Sequence, residues 1–491
     1  MSGLGVGGTE PAALYLDRDR PAVGGGGADV PHDTAGVARD GGRTVLRERP
    51  AHTEVDWRLV YRIRDRLAER LATSAGPDVA EETRVARGRA MIGDVIREHS
   101  DEAILAGRPA DQVARAEVAA YTRAVDSAVF GYGRWQPLLD DPDVENIEIR
   151  GHDHVFLTYA DRVEQADPVA DSDAELIEQL TFIATYAKTP KPFSPAHPEM
   201  TINLQDRFRL HAVAFDVVDR PTIVIRQHKF TGLSLPELAG AGMMPDALAG
   251  FLAAAVRAHR SIVVSGNQGV GKTTFVRALA MAMDPGEAVG VIETDAELFL
   301  HKLPGRGRVI NFVAREGSGE GTGADGRPLG EFSVQRHLAA SLRQNLSRVV
   351  VGEVRDAEAA AMFQAMQSGA GSLSTIHAQH SRATIERLVT AAALGGVMSQ
   401  ADAYRQIAVN LHLIVHLGAI DERSTGGRLR RYVNEVIEVH GFAERSDGMA
   451  SSLPALATLY EAGPGGAPGR LADELLSPEL RRGLARAGWR P

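Results

Sequence analysis

The chain has 491 residues and no cysteine, which excludes disulfide bonds, thiol catalysis and cysteine-ligated zinc. No apolar run approaches the roughly 20 residues that are needed to span a bilayer. Residues 1–28 also lack the charged segment and the apolar run of a secretion signal. These absences predict a cytoplasmic protein.

The chain has fewer basic than acidic residues, and few of its basic residues are lysines. Aspartate and glutamate outnumber lysine and arginine by 64 to 54, so the net charge is −10, and only 5 of the basic residues are lysines. An acidic balance argues against nucleic acid as the main partner. The composition, 44% hydrophobic and 24% charged, is that of an ordinary globular protein.

One of the five lysines, Lys272, lies in a glycine-rich run that follows the apolar residues 261–265. The run has the G-x-x-x-x-G-K-[ST] pattern between a predicted strand and a predicted helix. Its glycines let backbone N–H groups surround phosphate oxygens, and the helix that follows directs its positive end at the same anion. In this pattern the lysine reaches the β- and γ-phosphates, and the hydroxyl of Thr273 holds Mg²⁺. The predicted ATP-binding residues are Gly266, Asn267, Gln268, Gly269, Val270, Gly271, Lys272, Thr273 and Thr274.

Five segments differ in their patterning. The Gly- and Pro-rich start lacks periodicity and predicts a disordered tail, and the next segment repeats apolar residues at helical spacing. A mixture of alternating strands with one capped helix follows, before apolar strands alternate with helices. The predicted segments are a disordered tail at 1–54, a helical segment at 55–132, an α+β N-terminal domain at 133–230, a P-loop domain at 231–440 and a weakly structured C-terminal extension at 441–491.

The alternation in 231–440 predicts an α/β fold, with a mostly parallel, buried sheet and flanking helices. Three of its predicted strands end in residues that can carry chemistry. Acidic residues follow the strand in 291–298, Glu353 ends the strand in 349–356, and His377 ends the strand in 371–378. Because ligands collect at the carboxyl ends of such strands, these residues are expected near the bound nucleotide.

The four motifs, in this order, resemble those of the type II/type IV secretion ATPase superfamily, and most closely its CpaF-type branch of Tad pilus assembly. The resemblance runs from about Gly133 to His440. It identifies 266–274 as the Walker A motif, 291–298 as the Asp box, 349–356 as the Walker B motif and 371–378 as the His box. It implies a RecA-like P-loop ATPase domain preceded by an α+β N-terminal domain.

The resemblance also implies roles for individual residues. Glu297 would polarise the attacking water, Glu353 would hold Mg²⁺ through a water molecule, and His377 would sense the γ-phosphate. Arg209 and Arg226 match positions from which the family directs arginines at ATP. The implied protein is a hexameric ATPase at the cytoplasmic face of the membrane, acting on an inner-membrane platform protein of a secretion or pilus machine.

Some positions depart from the family pattern. The Asp box usually reads Ile-Glu-Asp, and here Thr294 follows Glu293. This change favours an alternative in which the chain is a nucleotide-gated regulatory or scaffold protein with weak turnover. A second alternative is a DNA-directed RecA-like motor, against which the acidic net charge speaks.

His412 and His416 have the spacing of a zinc-binding pair. They lie in a predicted strand of alternating apolar residues, and no glutamate stands at 413 as it does in metalloproteases. No zinc site is therefore expected.

Overall fold

A computed structural model describes the chain at residues 47–48, 55–74, 80–108, 111–159, 162–187, 190–204, 207–227, 232–315, 317, 321–323, 326, 328–356, 358–367, 369–396, 398–422, 429–444 and 450–490. The predicted disordered tail 1–54 lies outside these residues, except that Arg47–Glu48 form a short strand. The chain divides into two compact units, Met1–His228 and Lys229–Pro491.

The first unit begins with three helices: α1 (Trp57–Ser74), α2 (Glu81–Leu105) and α3 (Val118–Phe130). Apolar side chains one turn apart in α1 are all buried in the core that the three helices share. These are Leu59, Ile63, Leu67 and Leu71. The helical spacing of the sequence therefore corresponds to one buried face.

A seven-stranded sheet makes up the rest of the first unit, in the order β1-β4-β3-β2-β7-β6-β5. It is antiparallel throughout except for the pairing of β1 with β4. The helix α5 shares one core with the inward-facing residues of the sheet, and the hydroxyl of Ser172 caps it by accepting the N–H of Glu175. The strands and remaining helices are β1 (Arg47–Glu48), β2 (Asn146–Arg150), β3 (His154–Thr158), β4 (Val163–Ala166), β5 (Glu199–Leu204), β6 (Phe208–Val213), β7 (Thr222–Gln227), α4 (Gln136–Leu139) and α5 (Asp173–Tyr186).

The second unit is built on an eight-stranded sheet in the order β10-β9-β11-β12-β8-β13-β14-β15. Pairing is parallel from β10 to β13 and antiparallel from β13 to β15. The strands are β8 (Ile262–Gly266), β9 (Val289–Glu293), β10 (Val309–Val313), β11 (Arg348–Glu353), β12 (Ser372–His377), β13 (Leu413–Asp421), β14 (Leu429–Glu444) and β15 (Ala450–Glu461).

Helices cover both faces of this sheet. One face packs with α6, α7, α8 and α13, and the other packs with α9 to α12. The predicted α/β fold class, a mostly parallel sheet with flanking helices, is confirmed. The helices are α6 (Leu235–Gly240), α7 (Asp246–Arg257), α8 (Lys272–Met281), α9 (Val334–Ser341), α10 (Glu358–Gln367), α11 (Ser381–Leu394), α12 (Gln400–Asn410) and α13 (Pro478–Arg486).

The prediction of a weakly structured extension at 441–491 is wrong. The strand β15 pairs with β14, and α13 buries Leu480 and Leu484 in the core of the second unit. Trp489 lies against Phe251 with ring centroids 5.7 Å apart. A Gly- and Pro-rich stretch separates the apolar residues of β15 from those of α13. Their contribution becomes evident only when they meet a core formed by earlier segments.

Within the described part of the chain, no helix combines the length and the apolar character that crossing a membrane requires.

Candidate nucleotide-binding site

The loop between β8 and α8 has the conformation expected of a phosphate cradle. Gly269 and Gly271 adopt φ values of +78° and +93°, in the left-handed region that glycine enters without steric cost. The helix α8 begins at Lys272, so its N-terminal N–H groups face the same space. Residues 267–271 therefore form a glycine-rich loop directly before the helix, and Thr273 and Thr274 occupy the first turn of the helix.

The side chain of Lys272 folds back over this loop. Its Nζ lies 3.1 Å from the carbonyl oxygen of Gly266 and 2.9 Å from that of Asn267. It is also 3.2 Å from Nδ1 of His377, which ends the neighbouring strand β12 and pairs with Gly266. The predicted lysine of the Walker A motif and the predicted histidine of the His box are thus in contact.

His377 joins Lys272 to Glu353. An ammonium group can only donate, so Nδ1 of His377 accepts and Nε2 carries the proton. That Nε2 lies 2.8 Å from Oε1 of Glu353, while Nε and Nη2 of Arg355 lie 2.9 and 2.6 Å from Oε2. Burial alone would raise the pKa of Glu353, but the His377 hydrogen bond and the Arg355 charge lower it to about 2. Glu353 is therefore an ionised carboxylate at neutral pH.

The segment that carries Glu297 follows β9 and is held by Glu293. Oε1 of Glu293 accepts the backbone N–H groups of Glu297 and Leu298 at 3.1 and 2.9 Å. Gly352 lies against this side chain, and a Cβ there would come within 2.8 Å of Cγ and 2.9 Å of Oε1 of Glu293. Burial raises the pKa of Glu293 to about 8, despite the two N–H donors. The unusual Thr294 donates its hydroxyl hydrogen to Glu358 at 2.6 Å.

The raised pKa of Glu293 predicts a stability effect with a definite sign. The carboxyl is protonated when folded and ionised when unfolded between about pH 4.5 and 8, so the unfolding free energy falls as pH rises through this window. Glu293→Gln keeps the accepting oxygen and removes the titration. Between pH 6 and pH 8, the unfolding free energy of the variant should rise by about 2 kcal/mol relative to that of the parent, as measured by urea unfolding. If the difference in unfolding free energy between variant and parent does not change with pH, Glu293 is ionised in the folded protein across this whole pH range.

His412 and His416 make hydrogen bonds to the strand that leads into the loop. Nδ1 of His412 accepts the N–H of Ser261 at 3.1 Å, and Nδ1 of His416 lies 3.0 Å from Oγ of Ser265. Burial lowers the pKa of both histidines, to about 4 for His412. Both side chains are neutral groups that connect β13 to β8.

Arg209 and Arg226, the two arginines expected to reach ATP, belong to the first unit. They stand directly opposite each other on β6 and β7, where Arg226 is exposed and Arg209 is partly buried. The two arginines therefore lie side by side on one face of the antiparallel sheet.

A comparison with protein families matches residues 167–422 to the family described as Type II/IV secretion system protein. The match covers more than half of the chain. The chain belongs to this family. All four motifs of the second unit fall within the matched range.

Two relatives in the family illustrate its range. Rv3659c of Mycobacterium tuberculosis, which is named for conjugal transfer, is 28% identical over 322 residues that make up 64% of this chain and 86% of Rv3659c. The type IV secretion system protein PtlH of Bordetella pertussis is 30% identical over 215 residues, 42% of this chain and 60% of PtlH.

Solved structures of two ATPases are also similar to this chain. The VirB11 ATPase of Brucella suis is 23% identical and matches 62% of this chain and 94% of its own, with a TM-score of 0.31. The ATPase DotB of Legionella pneumophila is 17% identical and matches 62% of this chain and 79% of its own, with a TM-score of 0.44.

Several residues that lie around the site of this secretion-family protein are not assigned a role from the sequence. Nε of Arg431, on β14, donates to the carbonyl oxygen of Gly269 at 2.9 Å. Arg277 and Glu293 hold the backbone near Glu297. Arg355 is part of the Walker B motif, and that position could have drawn attention to it. Glu293 lies in the predicted Asp box, which could have drawn attention to it as well. Arg277 and Arg431 are apparent only once distant strands and loops are brought together.

Proposed function

We propose that the chain is an ATP-hydrolysing motor of a type II/IV secretion or Tad-type pilus machine. The observation that carries the proposal is the contact of Lys272 with His377, and through it with Glu353, at the carboxyl ends of adjacent parallel strands. An ammonium group, an imidazole and an ionised carboxylate thus meet beside the glycine-rich loop. Membership of the secretion family supports a transport role for that site.

The residues present fit ATP and Mg²⁺. The positive-φ glycines of the loop leave backbone N–H groups accessible to phosphate, and Lys272 supplies a compact positive charge. Mg²⁺ prefers oxygen ligands, which the hydroxyl of Thr273 and the carboxylate of Glu353 offer, the latter through a water molecule. When bound, Mg²⁺ would neutralise charge on the phosphates.

Each side chain then has a defined task. Lys272 would hold the β- and γ-phosphates, and Glu297 would orient and polarise the attacking water. A γ-phosphate competes with His377 for the ammonium group of Lys272, so His377 would respond to its presence and its loss. Arg209 and Arg226 would add positive charge from the first unit, either of the same subunit or of a neighbour.

The motor would work as a homohexamer at the cytoplasmic face of the membrane and act on an inner-membrane platform protein. The CpaF-type resemblance of the four motifs favours the pilus-assembly branch. A nucleotide-gated regulator with weak turnover remains the second candidate, because Thr294 departs from the family pattern at the Asp box. In this chain the hydroxyl of Thr294 donates a hydrogen bond to Glu358.

Ring assembly predicts that turnover depends on protein concentration. If a neighbour completes each site, the rate per subunit should rise as subunits associate, and Arg226→Ala should lower turnover at least about tenfold more than it lowers ATP affinity. Size measurement in ATP and Mg²⁺, beside a rate-versus-concentration series, tests both expectations.

Arg150→Ala is the matched control for this experiment, because Arg150 is an exposed arginine on β2 of the same sheet. It should leave turnover unchanged. A monomer whose specific activity does not vary with concentration would contradict the ring. ATP binding without measurable turnover would favour the regulator instead.

A further inference from the structure

The backbone of Glu297 is fixed from two sides. Its N–H group donates to Oε1 of Glu293, which ends β9. Its carbonyl oxygen accepts a hydrogen bond from Nη2 of Arg277, and the carbonyl oxygen of Leu298 accepts one from Nε of the same arginine at 3.0 Å. Both polar backbone groups of Glu297 are therefore held by side chains of other elements.

The second of these side chains comes from the helix of the phosphate-binding loop. Arg277 lies on α8, which begins at Lys272, and only 3% of its surface is exposed. Its guanidinium group is planar and rigid, so two hydrogen bonds from one group fix both the position and the orientation of the peptide that they reach. The segment carrying Glu297 is consequently tied to the helix that carries Lys272.

Burying this arginine is costly. A buried charge loses its hydration, and that loss lowers the pKa of Arg277. An apolar side chain of similar volume would pack at this position without that cost. The buried charge of Arg277 and its two directed hydrogen bonds therefore indicate that it fixes the geometry of the backbone that it contacts.

We propose that Arg277 and Glu293 are positioning residues that hold the Glu297 segment in a fixed place relative to the phosphate-binding loop. The inference rests on the proposed function, in which Glu297 orients the attacking water. A carboxylate with this task must keep its distance from the γ-phosphate, and a displacement of about 1 Å can lower a rate 10²-fold. Because α8 follows the loop directly, the hydrogen bonds of Arg277 fix the position of Glu297 relative to Lys272.

The simplest competing explanation is that Arg277 only stabilises the fold, and the chain offers a matched control for it. Arg306 is also buried, with 7% of its surface exposed, and it also donates to backbone carbonyl oxygens. Its partners are Met281, the last residue of α8, and Met283 and Asp284 just beyond it. Arg277 and Arg306 thus make the same kind of contact, but only Arg277 reaches the backbone of Glu297.

The experiment compares Arg277→Met with Arg306→Met in the full chain. Both should lower the unfolding midpoint. Only Arg277→Met should also lower kcat, by about 10- to 10²-fold, with KM and ATP affinity within about twofold of the parent values. Equal kcat in the two variants would overturn the inference. If Arg277→Met does not fold, Arg277→Lys replaces it, because lysine keeps the charge and loses the paired geometry, and a parent-like kcat would then be the contradicting result.

A double variant separates this inference from the proposed function. If Arg277 acts through Glu297, adding Arg277→Met to Glu297→Gln should cause no further loss of kcat, whereas independent effects multiply. Multiplying losses would overturn the positioning role and leave the catalytic role of Glu297 intact. Parent-like turnover in Glu297→Gln alone would instead remove the proposed role of Glu297, whatever Arg277 does.

Discussion

Lys272→Ala is expected to reduce ATP turnover below detection, at least about 10²- to 10³-fold, and to weaken ATP binding strongly. The lysine is the positive charge at the centre of the loop, and a directed electrostatic contact of this kind contributes on that scale. Its loss would also remove the partner that His377 contacts at 3.2 Å. Steady-state hydrolysis and calorimetric titration with ATP measure the two effects.

Lys302→Ala is the control for this prediction. Lys302 is an exposed lysine of the same unit, and its ammonium group lies 4.8 Å from the ring centroid of Phe299. It should keep the turnover and the ATP affinity of the parent. Hydrolysis at the parent rate by Lys272→Ala would show that the nucleotide site has been placed wrongly.

Glu297→Gln should have the second-largest effect, a loss of turnover of about 10²-fold or more with ATP binding retained. The amide is isosteric but cannot polarise water, and the loss of a positioned acid–base group has this magnitude. The backbone contacts of residue 297 with Glu293 and Arg277 do not involve its side chain, so the segment should stay in place. Single-turnover hydrolysis would separate the chemical step from product release.

Glu386→Gln provides the matched control. Glu386 is an exposed acid on α11 whose Oε2 accepts the hydroxyl hydrogen of Tyr404 at 2.8 Å. Its amide variant should turn over at the parent rate. Normal turnover in Glu297→Gln would require another group, with Glu353 the first to test, to activate the water.

The sequence predicts those parts of the site that lie within one short stretch of chain. The loop at 266–274 needs glycines at fixed positions between a strand and a helix, and local backbone geometry imposes that pattern. Glu353 and His377 were also predicted, because each ends an apolar strand of a parallel sheet. The contact between Lys272 and His377 then follows from the adjacency of β8 and β12.

The remaining contacts depend on packing between segments that are distant in sequence. Arg277 is one of 49 arginines. Nothing in the sequence around it shows whether its side chain is buried against backbone carbonyl groups or exposed on the surface of a helix. The role of Arg431 depends on β14 passing close to the loop. The strand β15 is not predicted for the same reason, since its residues gain their partners from β14 and α12.

The strand order of the second unit has a consequence for how the protein is made. β8, which carries the phosphate-binding loop, lies between β12 and β13, and both are synthesised later. Ser265 and its partner His416 are separated by 151 positions. On the ribosome, β8 therefore has both neighbouring strands only after β12 and β13 have been synthesised. Pairing between strands so distant in sequence is slow. A product of interrupted translation that ends before β13 would lack this support, so nascent chains should gain stable nucleotide binding only after β13 has been synthesised.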